Sequence, residues 1–275
     1  SMTYMMQRFP ERSFDVGISE EHAVTFSAGL AKEGLLPYCC IYSSFLQRAY
    51  DEIIHDVSIL GLPVTLCIDR AGIVGEDGVT HHGSFDLSFL RCIPGMTIAA
   101  PMDEHTLRHL LYTAQAIEHG PLAIRYPRGG GEIVQWQCPM HEIPLGKGRK
   151  LCDGDGDIAV LSIGNIGTTA MHAIEKARLN GVEAAHYDMI FLKPIDEDIL
   201  QEVATHYRRI ITVENGTIIG GLGSAVIEWL NDHDYNIKVK RTGIPDRFIA
   251  QGSVSQLHKL CGMDADSLYE LLTTE

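Results

Sequence analysis

The stretch Pro63-Val64-Thr65-Leu66-Cys67-Ile68-Asp69-Arg70-Ala71-Gly72 decides the architecture. Residues 63–68 are an apolar run of strand length without polar alternation, as expected of a strand covered on both faces of a parallel sheet. Residues 69–84 then form a polar, glycine-rich loop, long for a connection between a strand and a helix, and such loops are usually functional. The same unit recurs on either side. Upstream, residues 37–42 lead into a helical-period segment at 44–59, and residues 14–18 read as a strand followed by a helix over 19–33. Downstream, residues 96–99 precede a helix over 103–117, and residues 122–125 close the series. Strand–helix repetition of this kind predicts an α/β domain built on a mainly parallel sheet.

Residues 127–148 are rich in glycine and proline, have no sustained period, and read as the connection between domains. A second series follows, with strands at 157–163, 182–187, 209–213 and 237–241. Helices are expected up to 180, near 196–205 and near 221–232, and two short helices end the chain. A length of 275 residues suits two domains. The expected organisation is two consecutive α/β domains, 1–140 and 141–275, each a mainly parallel sheet flanked by helices.

The formal net charge is −14, from 22 basic and 36 acidic residues. That argues against non-specific binding to nucleic acid or to an anionic membrane, both of which need a basic face. It leaves room for a local basic pocket that takes a small phosphorylated substrate. No apolar stretch is long enough to span a membrane, and the N-terminus has no signal-peptide character, so a cytoplasmic protein is expected. The seven cysteines are odd in number and include no C-x-x-C pair, which predicts reduced, buried thiols.

Ligands of open α/β sheets bind beyond the carboxyl ends of the strands. In the first half those ends are residues 19–21, 42–45, 69–83, 101–104 and 126–129, and they hold nearly every chemically suggestive side chain. Glu20 is either a first-turn acid that complements the helix dipole behind an Ser19 cap, or a functional carboxylate. Tyr42 and Phe45 are either core or ligand-facing, with Arg48 one turn on. Arg70 and Arg128 each follow a buried-type strand, where guanidinium groups suit a phosphate or carboxylate; the alternative is a pair of surface ion pairs. Asp77, His81 and His82 lie in the long loop. The adjacent histidines do not read as a metal site, because neighbouring side chains diverge. His105 and His109, spaced i, i+4 on a helix, are expected at the surface.

Several segments together resemble the 1-deoxy-D-xylulose 5-phosphate synthase family of transketolase-like thiamine diphosphate enzymes. Ile18-Ser19-Glu20-Glu21-His22-Ala23-Val24-Thr25-Phe26 resembles the turn that carries the family's catalytic glutamate. Residues 42–51 resemble its aromatic segment, residues 69–83 its substrate loop, and Arg125-Tyr126-Pro127-Arg128-Gly129 its phosphate corner. Lys193-Pro194-Ile195-Asp196, and Glu214-Asn215 through Gly220-Gly221-Leu222-Gly223-Ser224, resemble its C-terminal domain. The chain departs from the pattern at Glu21 and His82, where the family has glutamine.

The resemblance implies a thiamine pyrimidine-binding domain followed by a transketolase C-terminal domain. It implies condensation of pyruvate with glyceraldehyde 3-phosphate to 1-deoxy-D-xylulose 5-phosphate and carbon dioxide, a precursor for isoprenoids, thiamine and pyridoxal. Glu20 would hydrogen-bond the aminopyrimidine of the cofactor, with Phe45 stacked on it and Tyr42 and Arg48 alongside. Arg70 and Arg128 would hold the acceptor phosphate, and Asp77 and His81 would contact substrate hydroxyl or carbonyl groups, His81 counted with Glu20 as catalytic. A homodimer is implied. The diphosphate and Mg2+ are expected on an N-terminal domain that this chain lacks, so the chain alone is expected to be inactive. Gly154-Asp155-Gly156, with Asn180 beyond it, imitates the family's metal motif but precedes a strand instead of following one, and reads as a turn. Three other readings stand beside this one: the β subunit of a 2-oxo-acid dehydrogenase, the C-terminal subunit of a split transketolase, and a non-catalytic interaction protein on the same scaffold.

Overall fold

The apolar runs pair into two five-stranded sheets in the computed structural model, which describes residues 2–116, 120–131, 133 and 135–274. In the first, β1 (Tyr38–Tyr42), β2 (Thr65–Asp69), β3 (Thr97–Ala99) and β4 (Leu122–Arg125) run parallel in the order β1-β2-β4-β3. The second contains β5 (Arg149–Cys152), β6 (Ile158–Ile163), β7 (Ala184–Asp188), β9 (Arg209–Thr217) and β10 (Lys238–Ile244), in the order β10-β9-β6-β7-β5. Only β5 is antiparallel there. The two remaining neighbours, β3 and β8 (Phe191–Lys193), pair antiparallel, so a strand from the second half of the chain completes the first sheet. β4 and β7 are buried along their whole length, as their unalternating sequences require.

Helices cover both sheets. In the first half they span Glu20–Lys32, Asp86–Arg91 and Glu104–Thr113, together with a winding segment from Ser43 to Ser58. That segment tightens over Gln47–Ala49 and widens into a π-type turn over Ile53–Ser58, instead of forming the single helix expected at 44–59. Asp103 caps the Glu104–Thr113 helix by accepting from Thr106 N–H at 2.7 Å. The expected end of that helix, Ile117, lies outside the described residues.

Several expectations are corrected. Residues 14–18 are not a strand: Phe14 and Ile18 are 62% and 91% exposed, and Phe14 packs edge-on against Phe26 instead of joining a sheet. The expected strand at 209–213 continues to Thr217, which buries Glu214 and Asn215. Strands β5 and β8 and the Asp86–Arg91 helix were not foreseen. The cysteines are all free, but only Cys39 and Cys67 are buried.

Two of the buried carboxylates, Asp188 and Glu214, are shifted upward by their surroundings. Burial pushes Asp188 up to about 6, against the opposing pull of Arg149. Burial pushes Glu214 up to about 7, although the amides of Gly223 and Leu222 donate to it. A carboxyl group whose folded pKa is raised adds stability that is fully present below its unfolded value and is lost as the pH climbs through the folded value. The buried His186, pushed down to about 4, acts in the opposite sense. The stability of the wild type measured against Glu214→Gln isolates one group. That difference is expected to fall as pH rises from about 5 to about 8, read by denaturant unfolding; a flat difference would show that Glu214 titrates normally.

Candidate functional site

The carboxyl ends of β1, β2 and β4 and the first turn of the Glu20–Lys32 helix meet at one rim of the first sheet. Parallel register places Tyr42 beside Asp69. Glu20 is 9% exposed, and its Oε1 accepts from Arg48 Nη1 at 3.0 Å. Ser19 precedes the helix, but its side chain makes no capping bond; Glu20 does lie in the first turn, and it is ion-paired as well. The Arg48 guanidinium lies 5.0 Å from the Phe45 ring centroid. Phe45 stacks on Tyr42 at 5.7 Å with an interplanar angle of 23°, and the Arg70 guanidinium covers Tyr42 at 3.8 Å. His81 reaches back from the long loop to meet Phe45 edge-on at 5.3 Å.

Glu20, Arg48, Phe45, Tyr42, Arg70 and His81 therefore form one continuous patch. Arg70 holds a left-handed backbone with φ 56°, a conformation that non-glycine residues rarely adopt, and donates from its own N–H and from Nη1 to Asp69 at 2.7 and 2.9 Å. Arg128 joins the loop by a 2.8 Å ion pair with Asp77 and shares no hydrogen-bond partner with Arg70 among the described residues. Both arginines are thus ion-paired, and both keep part of their guanidinium surface open. A carboxylate at the edge of stacked aromatic rings, flanked by guanidinium groups, suits a planar nitrogen heterocycle next to an oxyanion.

Beneath the patch lies a buried network that sequence reasoning missed. Arg125 and Asp86 pair at 2.9 Å with side chains 4% and 0% exposed. Asp86 Oδ2 also accepts from Ser43 Oγ at 3.0 Å, and Arg125 Nη2 donates to Asn215 O at 2.8 Å. Ser43 directly follows Tyr42, so the ion pair braces the aromatic corner from below. Asp86 comes just after the polar loop, where an acid draws no notice; the one available clue was Arg125 inside an otherwise apolar strand.

His82 is buried, and does not line the patch. Its Nδ1 accepts from Val74 N–H at 3.2 Å, which leaves Nε2–H to donate to Ala250 O at 3.3 Å in the second domain. Glu21 is exposed. His109 is buried, not at the surface as expected, and its ring lies tilted against His141, centroids 3.6 Å apart, where the connecting segment folds over the helix. Gly154 and Gly156 lie in a bend before β6, where a Cβ would meet the backbone of Ala184 and Glu183 at 2.4 and 2.2 Å; close packing accounts for both. Among the described residues no cluster of three or more His, Cys, Asp or Glu side chains is arranged to hold a metal, and no helix is long and apolar enough to cross a membrane.

Comparison with known proteins matches residues 3–132 to the family "Transketolase, pyrimidine binding domain" and residues 146–268 to "Transketolase, C-terminal domain". The chain is 61% identical over 269 residues to 1-deoxy-D-xylulose-5-phosphate synthase of Bacteroides thetaiotaomicron, covering 98% of this chain and 41% of that protein. It is 55% identical over 271 residues to the synthase of Porphyromonas gingivalis, covering 98% and 43%. It thus spans about two fifths of the length of the curated relatives it matches. Among solved structures, a split gene transketolase described as an inactive beta4 tetramer superposes with a TM-score of 0.87 at 30% identity, covering 97% of this chain and 84% of that one. Transketolase from Campylobacter jejuni, 16% identical with a TM-score of 0.77 over 95% of this chain and 39% of that one, shares the fold.

Asp86→Ala would leave Arg125 buried without a counter-charge. The expected destabilisation is about 3–5 kcal/mol, measured by chemical denaturation followed by circular dichroism. A change below about 1 kcal/mol, the range of exposed pairs, would contradict the buried-pair account.

Proposed function

Because the chain belongs to the transketolase family, as a pyrimidine-binding domain followed by a C-terminal domain, we propose that it is part of a thiamine diphosphate-dependent 1-deoxy-D-xylulose 5-phosphate synthase. Such an enzyme condenses pyruvate with glyceraldehyde 3-phosphate and releases carbon dioxide. The observation that carries the proposal is the Glu20–Arg48 pair at the edge of the Phe45–Tyr42 stack. The 61% identity to a synthase of that name supports the choice within the family.

The residues present fit the pyrimidine end of the cofactor. Arg48 occupies only Oε1 of Glu20, and Oε2 has no hydrogen-bond partner among the described residues. When bound, thiamine diphosphate supplies the electron sink for decarboxylation. Glu20 would hold a proton at the aminopyrimidine ring nitrogen N1′. Arg48 fixes the carboxylate that does this, and its own position is set by Phe45. Phe45 offers the face on which the pyrimidine stacks, and Tyr42 backs it. His81, placed against Phe45, is within reach of a substrate carbonyl or hydroxyl group, with Asp77 on the same loop.

Arg70 and Arg128 bind the acceptor phosphate. Their present partners do not prevent this, because exposed pairs such as Arg128–Asp77 are worth only about 0–1 kcal/mol, and a dianionic phosphate is the stronger partner. The diphosphate and its Mg2+ belong, in this reading, to a part of the synthase that this chain does not span. The assembly is a cytoplasmic homodimer. The likeness to a split transketolase favours one second reading, a C-terminal subunit paired with a separate cofactor-binding chain, but identity there is about half that to the synthases.

The chain alone is expected to give no turnover of pyruvate plus glyceraldehyde 3-phosphate; measured turnover would overturn the division of labour proposed. In a protein that unites it with the diphosphate-holding portion, Glu20→Gln is expected to lower kcat by about 10²–10⁴-fold with the circular dichroism spectrum unchanged. Arg128→Ala is expected to raise KM for glyceraldehyde 3-phosphate by about 10-fold and leave KM for pyruvate near its original value. Equal effects on both substrates would take Arg128 out of the phosphate site.

A further inference from the structure

Asn215 belongs to β9 of the second domain, yet it is built into the neck of the first domain's long loop. It is 2% exposed. Its Oδ1 accepts from Ile73 N–H at 3.0 Å, and its backbone carbonyl accepts from Arg125 Nη2 at 2.8 Å. The approach is so close that a Cβ on Gly72, itself at φ +76°, would sit 2.3 Å from Asn215 Cγ. Only glycine satisfies both conditions there. Gly72 and Gly83 close the neck by exchanging two backbone hydrogen bonds, at 2.7 and 2.8 Å. Arg125 Nη2 also points to Gly83 O at 3.5 Å.

Asn215 and Arg125 therefore grip both ends of the neck, and the loop between those ends carries Asp77, His81 and the buried His82. Gly83 in turn lies against Arg70: a Cβ at that position would meet Arg70 O at 2.4 Å and Ser43 Cβ at 2.6 Å. A shift of the neck would thus displace Arg70 and the Ser43 end of the aromatic corner together. Neither Asn215 nor Arg125 reaches the open patch, so neither can touch a ligand held there. Hydrogen bonds of this buried kind act as a unit, because a donor such as Ile73 N–H that loses its partner bears the full cost of burial without one.

We propose that Asn215 and Arg125 are positioning residues, through which the second domain sets the conformation of the 69–84 loop and so the placement of Arg70, Asp77 and His81 against a phosphate-bearing substrate. The ligand class rests on the function proposed above; the coupling between domain and loop does not. Two variants of the full chain separate the acceptor from mere bulk: Asn215→Leu fills the space without Oδ1, and Asn215→Asp keeps it.

Amide hydrogen exchange is expected to quicken about 10-fold across residues 72–83 in Asn215→Leu, with β2 and β9 amides unchanged, and to return to the wild-type rate in Asn215→Asp. Titration with inorganic phosphate and with glyceraldehyde 3-phosphate, followed by NMR shifts of loop amides, is expected to show about 10-fold weaker binding in the leucine variant alone. Wild-type protection of the loop in Asn215→Leu would overturn the coupling. Faster exchange with undiminished ligand affinity would overturn the positioning role. If wild type takes up neither ligand, the proposed function fails and exchange alone decides the coupling. Should leucine prevent folding, Asn215→Ala set against Asn215→Asp gives the same comparison.

Discussion

Arg125 and Asp86 share a hydrogen-bonded ion pair from which water is excluded. Removing two charges from water costs several kcal/mol each. The pair is tolerated because its remaining valences are filled. Asp86 accepts from Ser43 Oγ and from Leu87 N–H, and Arg125 donates onward to Asn215 O. Those partners come from the end of β1, from the helix after the loop, from β4 and from β9 in the other domain. A pair of this kind is weak support for overall stability but strong support for one arrangement, since any other leaves a buried charge without a partner. The aromatic corner and the loop neck both stand on it.

Above this frame the chemistry is arranged by exposure. The chain carries a large negative excess, yet Arg48 and Arg70 flank the aromatic corner and Arg128 pairs with Asp77 of the long loop, above the buried Arg125. The upper three are a quarter to a half exposed and paired with carboxylates, so their charge is available at small cost. The lower one is spent on structure. Net charge therefore describes the outer surface and says little about the crevice.

Much of the fold was legible because parallel strands buried on both faces leave an unmistakable apolar run: β2, β4, β6 and β7 lie within a residue or two of their expected bounds. The failures share a cause. Residues 14–18 have strand-like side chains, but no strand pairs with them although β1 is an edge strand, and strand formation is a property of the pair. The short strands β5 and β8 are the converse, since partners recruit segments too brief to announce themselves. At the site, the side chains on strand ends were visible as a group, and the structure brings Glu20, Tyr42, Phe45, Arg48, Arg70 and His81 together. What stayed hidden was long-range pairing: Asp86 with Arg125, Asn215 with Gly72, His82 with Ala250. Sequence separation erases such partners, whereas Glu20 and Arg48 lie on adjoining elements of one unit.

The antiparallel strand β8 carries a consequence for how the chain is divided. Ile98 and Ala99 find their outer partners in Lys193 and Phe191, and Lys193 Nζ donates to the carbonyls of Arg91 and Ile93. A chain cut in the linker would leave β3 with a bare row of amides and carbonyls, and would strip the Asp86–Arg91 helix of its terminal cation. Unpaired edges of that kind invite self-association. The pyrimidine-binding half thus borrows its last strand from its neighbour, and what counts as a domain by descent is, in folding terms, an unfinished sheet.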